Sequence, residues 1–447
     1  MEKEVYLFFE EFIDPEQPIL LGYSGGPDSA CLLQLLLRWK KIPLHLVHVD
    51  HGWRKESEQE RVAIQELAQK LALPLHWTTL DPRAMQGNLE AECREARLKF
   101  FQKVASEVEA QGCLLAHHAD DQAETVFKRL LEGANLVNLS AMAPIYTIDR
   151  LRLMRPLLTI KKRELLSWLE RHGITYFQDA TNQDVRFLRA KMRQEIFPYL
   201  RTSFGKEFED NLTHIAQEAY DLRLYLDEKI QSYLEKASTS NWGTSLCSLP
   251  TTQVETKHLL QQVAKREGLI FSRDQIEKAS HLLLTKAADK EIILQGRSII
   301  FDRGRAFFCK AEIPDVEGSI TLSLGKAQFG NWSVCTTPYE AHFKLQNHFS
   351  DVWNGTLCTA LPAGSYTLCR SNPRDRRLLP SGNTKEYRHF ITEKKIPHFL
   401  TTKVPVIMQA GQIVEDFLSA TPPPSKQPDF VIYLCTRCMM RSSSWRH

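Results

Sequence analysis

The chain has 447 residues, of which 43% are hydrophobic and 25% charged, with a formal net charge of +3. That length exceeds what one hydrophobic core organises, so two to four domains are expected, and the balance excludes both wholesale disorder and a membrane-embedded protein. Near-neutral charge also excludes bulk basicity, so any nucleic-acid surface has to come from local segregation of charge. Met1-Glu2-Lys3-Glu4 lacks the start of a signal peptide, and no stretch approaches 18 uninterrupted apolar residues, so a cytoplasmic location without a membrane partner is expected. The ten cysteines are scattered and read as reduced thiols; Cys435 and Cys438 form a lone CxxC with no second pair, and no metal is assigned there.

In chain order, the apolar run 19–23 predicts a strand, 24–29 a tight loop and 30–39 a helix. Strand over 44–49, helix over 56–71, strand over 75–80, helix over 90–108 and strand over 113–116 repeat the theme. A helix through Leu131 follows, and 151–158 supplies a further strand. This alternation predicts an α/β fold, a parallel sheet with helices on both faces. Residues 207–236 contain no proline and predict one long helix. Helical patterning over 251–284 and β-like runs over 291–309 predict a small mixed domain. The stretch 313–360 reads as strand-rich, and 361–420 as a last unit. The expected organisation is therefore a catalytic domain 1–206, a helical arm 207–240, a mixed domain 241–360, a C-terminal domain 361–421 and a poorly ordered tail 422–447.

Four constellations carry chemistry. In Ser24-Gly25-Gly26-Pro27-Asp28-Ser29 the glycines let backbone approach an anion, while helix-start amides and two hydroxyls donate hydrogen bonds. The plain alternative is an ordinary tight turn. Asp28 would repel phosphate unless a cation intervenes, which points to Mg2+. His48 and Asp50 stand where the second strand ends, the edge at which open α/β sheets bind ligands; a core or solvent-facing histidine is the alternative. Glu90, Arg94 and Arg97 share one face of a helix, as a solvated ion-pair ladder also would. His117-His118-Ala119-Asp120-Asp121-Gln122-Ala123-Glu124-Thr125 opens a helix with acids, either as caps or as a site. Between Arg150 and Lys206 there are 13 Lys and Arg against 5 Asp and Glu, and between Arg370 and Lys403 9 against 3. Such surpluses suit a phosphate backbone, although a solvated basic helix reads the same way.

The string SGGPDS resembles the signature of PP-loop ATP pyrophosphatases, which split ATP between the α and β phosphates. With HxxDDxxET matched at His117, Asp120, Asp121, Glu124 and Thr125, and ExxxRxxR at Glu90, Arg94 and Arg97, the chain resembles the tRNA(Ile)-lysidine synthase family. Leu98 replaces an aromatic and Ala190 an asparagine common in that family. Asp179 to Arg193 and Arg374-Asp375-Arg376-Arg377-Leu378-Leu379-Pro380 resemble further family elements. The resemblance implies ATP held by Ser24, Gly25, Gly26, Pro27, Asp28, Ser29, His48, Asp50 and His117, with Mg2+ on Asp28. It implies catalytic roles for Asp28, Arg94, Arg97, Asp120, Asp121 and Glu124, the acids being the pocket for free L-lysine, with the binding carboxylate left open. It further implies a tRNA(Ile) substrate with a CAU anticodon, contacted by Arg186, Arg189, Arg193, Arg374, Arg376, Arg377 and Lys385, and by the mixed domain 241–360. The wobble cytidine would be adenylated and then joined to lysine. The sequence leaves the oligomeric state open, a homodimer being one option. A tRNA thiolase of the same class would need a reactive cysteine, and Cys31, Cys93 and Cys113 are isolated. A non-catalytic tRNA-binding protein would not need both motifs intact.

Overall fold

A computed structural model describes residues 1–50, 56–80, 89–177, 188–204, 207–240, 242–310, 315–339, 356–419 and 428–436. The chain divides into two compact units, Met1–Leu224 and Tyr225–His447. The division falls inside one helix, Phe208–Glu235, which matches the long helix expected over 207–236.

In the first unit, strands β1 (Ile19–Gly22), β2 (Leu44–Asp50), β3 (Leu75–Thr79), β4 (Cys113–Leu114), β5 (Ile145–Ile148) and β6 (Leu151–Met154) form a sheet of order β3-β2-β1-β4-β6-β5. All neighbours are parallel except β5, an antiparallel edge strand that the sequence pattern did not reveal. Alternation along β1 explains the two layers. Ile19 and Leu21 face a core shared with helices α1 (Glu2–Phe12), α2 (Pro27–Trp39), α3 (Glu56–Lys70) and α6 (Lys162–Arg171), through Phe9, Leu32, Leu36, Ile64 and Trp168. Leu20, pointing the other way, packs with Phe101 and Val104 of α4 (Leu89–Glu107). A side chain buried on each face at every step is what a parallel strand covered on both sides demands. Because β1 neighbours both β2 and β4, the chain reverses its direction of travel across the sheet there, and a crevice opens beyond the strand ends.

Helix α5 (Ala119–Leu131) follows β4. After α6, helix α7 (Leu188–Lys191) passes through a π turn, Met192–Ile196, into α8 (Phe197–Phe204).

The second unit begins with an antiparallel five-stranded sheet, in spatial order Ser238–Ser240, Gly243–Leu246, Arg305–Cys309, Arg297–Asp302 and Lys290–Leu294, packed with helices Gln253–Arg266 and Arg273–Leu284. A six-stranded and a four-stranded sheet then share one core that includes Trp332, Leu368, Ile407 and Leu434. Two expectations need correction. Strand Ser319–Thr321 pairs with Thr367–Cys369, so the boundary expected at 360 cuts through a sheet. Strand Phe430–Thr436, within the stretch expected to be poorly ordered, lies between Trp332–Pro338 and Thr356–Leu361 and bonds to both. Its Val431, Ile432 and Leu434 are buried, and that apolar run outweighs the prolines before it. Among the described residues no helix is long and apolar enough to cross a membrane.

Candidate active site

The chain leaves β1 and turns through Ser24 to Gly26 into α2. Gly25 has φ +80°, and a Cβ there would lie 2.6 Å from Phe177 Cδ2, so the turn requires glycine. The Phe177 amide donates to the Gly25 carbonyl at 2.9 Å and holds the turn down. Gly26 differs, since an added Cβ would meet nothing nearer than Ser24 Oγ at 3.5 Å, which leaves its outer side open to a ligand. Pro27 takes the first position of α2, where no donor is lost, and Asp28 and Ser29 sit in a first turn whose amides lack intrahelical acceptors. The Ser24 and Ser29 hydroxyls are 3.2 Å apart, and Ser29 Oγ donates to the Gly26 carbonyl at 3.0 Å.

His48 is buried at the end of β2 and its Nδ1 donates to the Tyr23 carbonyl at 2.9 Å, with burial pushing the imidazole below its usual range. It braces the loop from behind as a neutral core histidine. Asp50 ends the same strand, half-buried. The side chain of Glu90 lies outside the described residues, as do 178–187 with Asp179 and Arg186.

Beyond β4, His118 caps α5. Its backbone N–H donates to Asp121 Oδ2 at 3.1 Å, closing a reciprocal capping box. The capping reading of the acids is therefore correct for Asp121, yet it accounts for one oxygen only. Asp121 Oδ1 accepts from Arg193 Nη2 at 2.8 Å, and Glu124 accepts from both Nε and Nη2 of the same arginine. Burial is the largest influence on both acids and pushes upward. It leaves Glu124 raised, whereas His118, His117 and Arg193 together outweigh it at Asp121, which stays below the usual range. Asp120 is the most exposed of the three at 40%. Burial pushes it up, but His118 and the Lys162 backbone N–H, which donates to Oδ2 at 2.8 Å, bring it down to about 2. The Thr125 hydroxyl donates back to the Asp121 carbonyl at 2.8 Å, one turn earlier in the helix.

The loop and the acids meet. Lys162, opening α6, forms an ion pair with Asp28, and His118 Nε2 stands 3.7 Å from the other oxygen of Asp28. Burial works against protonation of His118, yet Asp120, Asp121 and Asp28 raise it above its usual value. On the other wall, Arg94 and Arg97 of α4 have no carboxylate partner among the described residues, and burial followed by the charge of Arg94 lowers Arg97. Arg189 stands near Arg97. The buried Arg155, just past β6, donates from Nε to His117 Nδ1 at 3.3 Å. Sequence reasoning missed Lys162 and Arg155. The available signal was positional, since both follow a parallel strand at the edge where ligands bind.

The two acids of α5 engage the guanidinium of Arg193, a residue expected to contact phosphate. Arg377 needs correction as such a contact. It is 2% exposed, lies 3.5 Å from Asp416 and 4.0 Å from Glu415, and donates to the Ile413 and Val414 carbonyls. Arg374 is exposed; Arg376, also exposed, donates to Thr384, and Lys385 pairs with Glu393. Ala190 is buried and presents no polar group.

No group of three or more ligating side chains that could hold a metal occurs among the described residues. Magnesium bound through a polyphosphate needs only one or two carboxylates, and Asp28 beside the open side of Gly26 fits that requirement. Sulfur chemistry fits poorly. Burial pushes the Cys31 and Cys113 thiols up to about 12 and raises Cys93, the reverse of what a thiolate nucleophile needs.

Comparison with known proteins bears on this arrangement. A family profile described as a PP-loop domain matches residues 1–200. The tRNA(Ile)-lysidine synthase of Protochlamydia amoebophila is 32% identical over 430 residues, covering 93% of this chain and 92% of that protein. That of Chlamydia muridarum is 36% identical over 315 residues, and that of Chlamydia pneumoniae 38% over 314; each match covers 67% of this chain and 97% of the relative.

Proposed function

The chain belongs to the tRNA(Ile)-lysidine synthase family, and from that premise we propose that it uses ATP to join free L-lysine to C2 of the wobble cytidine in a CAU-anticodon tRNA(Ile). The products are lysidine, AMP and pyrophosphate, and reading changes from AUG to AUA. The observation that carries this reading is the meeting of the glycine loop after β1 with the acidic opening of α5 after β4, through the Asp28–Lys162 pair and the Lys162 amide on Asp120.

In the first step the cytidine C2 oxygen attacks the α-phosphorus and the bond to the bridging oxygen of the β-phosphate breaks, releasing pyrophosphate. The open side of Gly26, the first-turn amides of α2 and the Ser24 and Ser29 hydroxyls suit that leaving group. Asp28 would hold Mg2+, which supplies charge neutralisation on the phosphates. Arg94 and Arg97, which have no carboxylate partner among the described residues, offset charge on the opposite side. In the second step the lysine ε-amine attacks C2, the C2–O bond breaks with its electron pair on AMP, and the amine proton passes to a carboxylate of the Asp120, Asp121 and Glu124 cluster. Arg189 and the exposed Arg374 and Arg376 are available to tRNA phosphates.

Mass analysis of nucleosides from CAU-anticodon tRNA incubated with enzyme, ATP and lysine tests the proposal. Lysidine is expected at the wobble position; unmodified cytidine or a sulfur-containing nucleoside there would overturn it.

A further inference from the structure

Arg155 follows the last residue of β6 and is 6% exposed. Its Nη1 donates to the Ala143 carbonyl at 2.8 Å and its backbone N–H to the Pro144 carbonyl at 2.8 Å, so the side chain is anchored at both ends. The remaining contact is Nε to His117 Nδ1 at 3.3 Å. A guanidinium has five donors and no acceptor, so the hydrogen belongs to Arg155 and Nδ1 must accept it. An imidazole that accepts at Nδ1 and stays neutral carries its own proton on Nε2. That Nε2 makes no hydrogen bond to a described residue.

We propose that Arg155 is a positioning residue that holds His117 as the Nε2–H tautomer, so that His117 serves the reaction as a neutral hydrogen-bond donor to the nucleotide substrate and never as a base. The proposal rests on the reading that this crevice activates a nucleotide. The groups facing His117 are Asp121 on α5, Arg97 on α4, Arg189 on α7 and Arg155 after β6. Burial comes first in disfavouring the imidazolium, the three arginines add to it, and Asp121 alone opposes them. The ring is pushed down to about 3 and stays neutral across the physiological range. A base would need a lone pair on Nε2, and the Arg155 contact puts the lone pair on Nδ1.

Two-bond 15N–1H NMR of the full-length, substrate-free protein between pH 5.5 and 8.5 reads the tautomer directly, with the His117→Gln spectrum identifying the ring. An unprotonated Nδ1, a protonated Nε2 and no titration are expected. Arg155→Met should release the ring to mixed tautomers, with a protonated Nδ1 appearing, while burial keeps the ring neutral in that window. A proton on Nδ1, or a ring that titrates in that window in the unaltered protein, overturns the proposal. For function, pyrophosphate release with CAU-anticodon tRNA should fall by no more than about tenfold in His117→Gln, whose amide keeps an N–H at the far end. In His117→Ala it should fall by at least about a hundredfold, the scale of losing one aimed donor. Equal losses in the two variants refute the donor role whatever the tautomer. If the unaltered protein makes no lysidine, the proposed reaction fails, while the NMR still decides the tautomer.

Discussion

Replacing Arg193 by Ala separates a structural from an RNA-binding role for this residue. The guanidinium bridges Asp121, 11% exposed, and Glu124, 2% exposed, while remaining 38% exposed itself. Removing one partner of a fully buried pair costs about 3–5 kcal/mol, because the other charge is left unpaired. Solvent reaches this arginine, so the cost reduces to about 2–3 kcal/mol. For a unit of 224 residues that loss lowers Tm by roughly 5–10 °C. The pH dependence follows from the acids. Arg193 lowers both Asp121 and Glu124, so without it both carboxyls titrate higher and the native variant holds extra protons. The deficit relative to the unaltered protein is then largest above the raised values and shrinks as pH falls and the carboxyls neutralise. Thermal melts at pH 8.0 and 5.5 should show the larger Tm difference at pH 8.0. Arg193→Lys should be intermediate, since an ammonium cannot span two carboxylates as a guanidinium fork does. An unchanged Tm with a weakened, less salt-dependent tRNA affinity would refute this reasoning and restore Arg193 as a phosphate contact.

Gly26→Val should leave the fold intact and abolish tRNA-dependent pyrophosphate release, whereas Gly25→Ala should lower thermal stability through its clash with Phe177; native-like activity in Gly26→Val would remove the loop from the site. Arg189→Ala should reduce the log-log salt slope of tRNA binding by about one unit per lost phosphate contact, and an unaltered slope would mark the residue as merely solvated. Replacing Cys31, Cys93 and Cys113 together by Ala or Ser should preserve turnover in protein that melts normally; complete loss would revive thiolation. In the second unit Glu415, raised to about 7 by burial and then by Asp416, should make stability fall as pH rises from its unfolded value through 7. Denaturant midpoints for Glu415→Gln should lack that fall, and an unchanged pH dependence would rule out Glu415 as its source.

Much of the first unit was legible because its signals are local. Strand and helix periods, the helix 208–235 without proline, and the two motifs each lie within a few consecutive residues, and each fell where the pattern put it. Strand β5 was not legible. An edge strand of four residues, with Tyr146 and Thr147 exposed, carries too little apolar alternation to stand out from a loop. Phe430–Thr436 was hidden for a different reason, since its place between two strands depends on partners about a hundred and about seventy-five residues earlier in the chain.

The charged residues show the sharper limit. A count of 13 basic against 5 acidic residues over 150–206 treats every arginine as an open cation. Arg193, however, meets acids 69 and 72 residues earlier, and Lys162 meets Asp28 across 134. Arg377 is enclosed by Glu415 and Asp416 in the same way, so the basic segment that resembled an RNA contact includes a residue whose charge the core consumes. Pairing is a property of the sheet order, which brings the ends of β1, β4 and β6 side by side, and no local window of sequence contains it. Among the described residues Arg94, Arg97 and Arg189 form no ion pair with a carboxylate, and the case for phosphate binding in the first unit therefore rests on them.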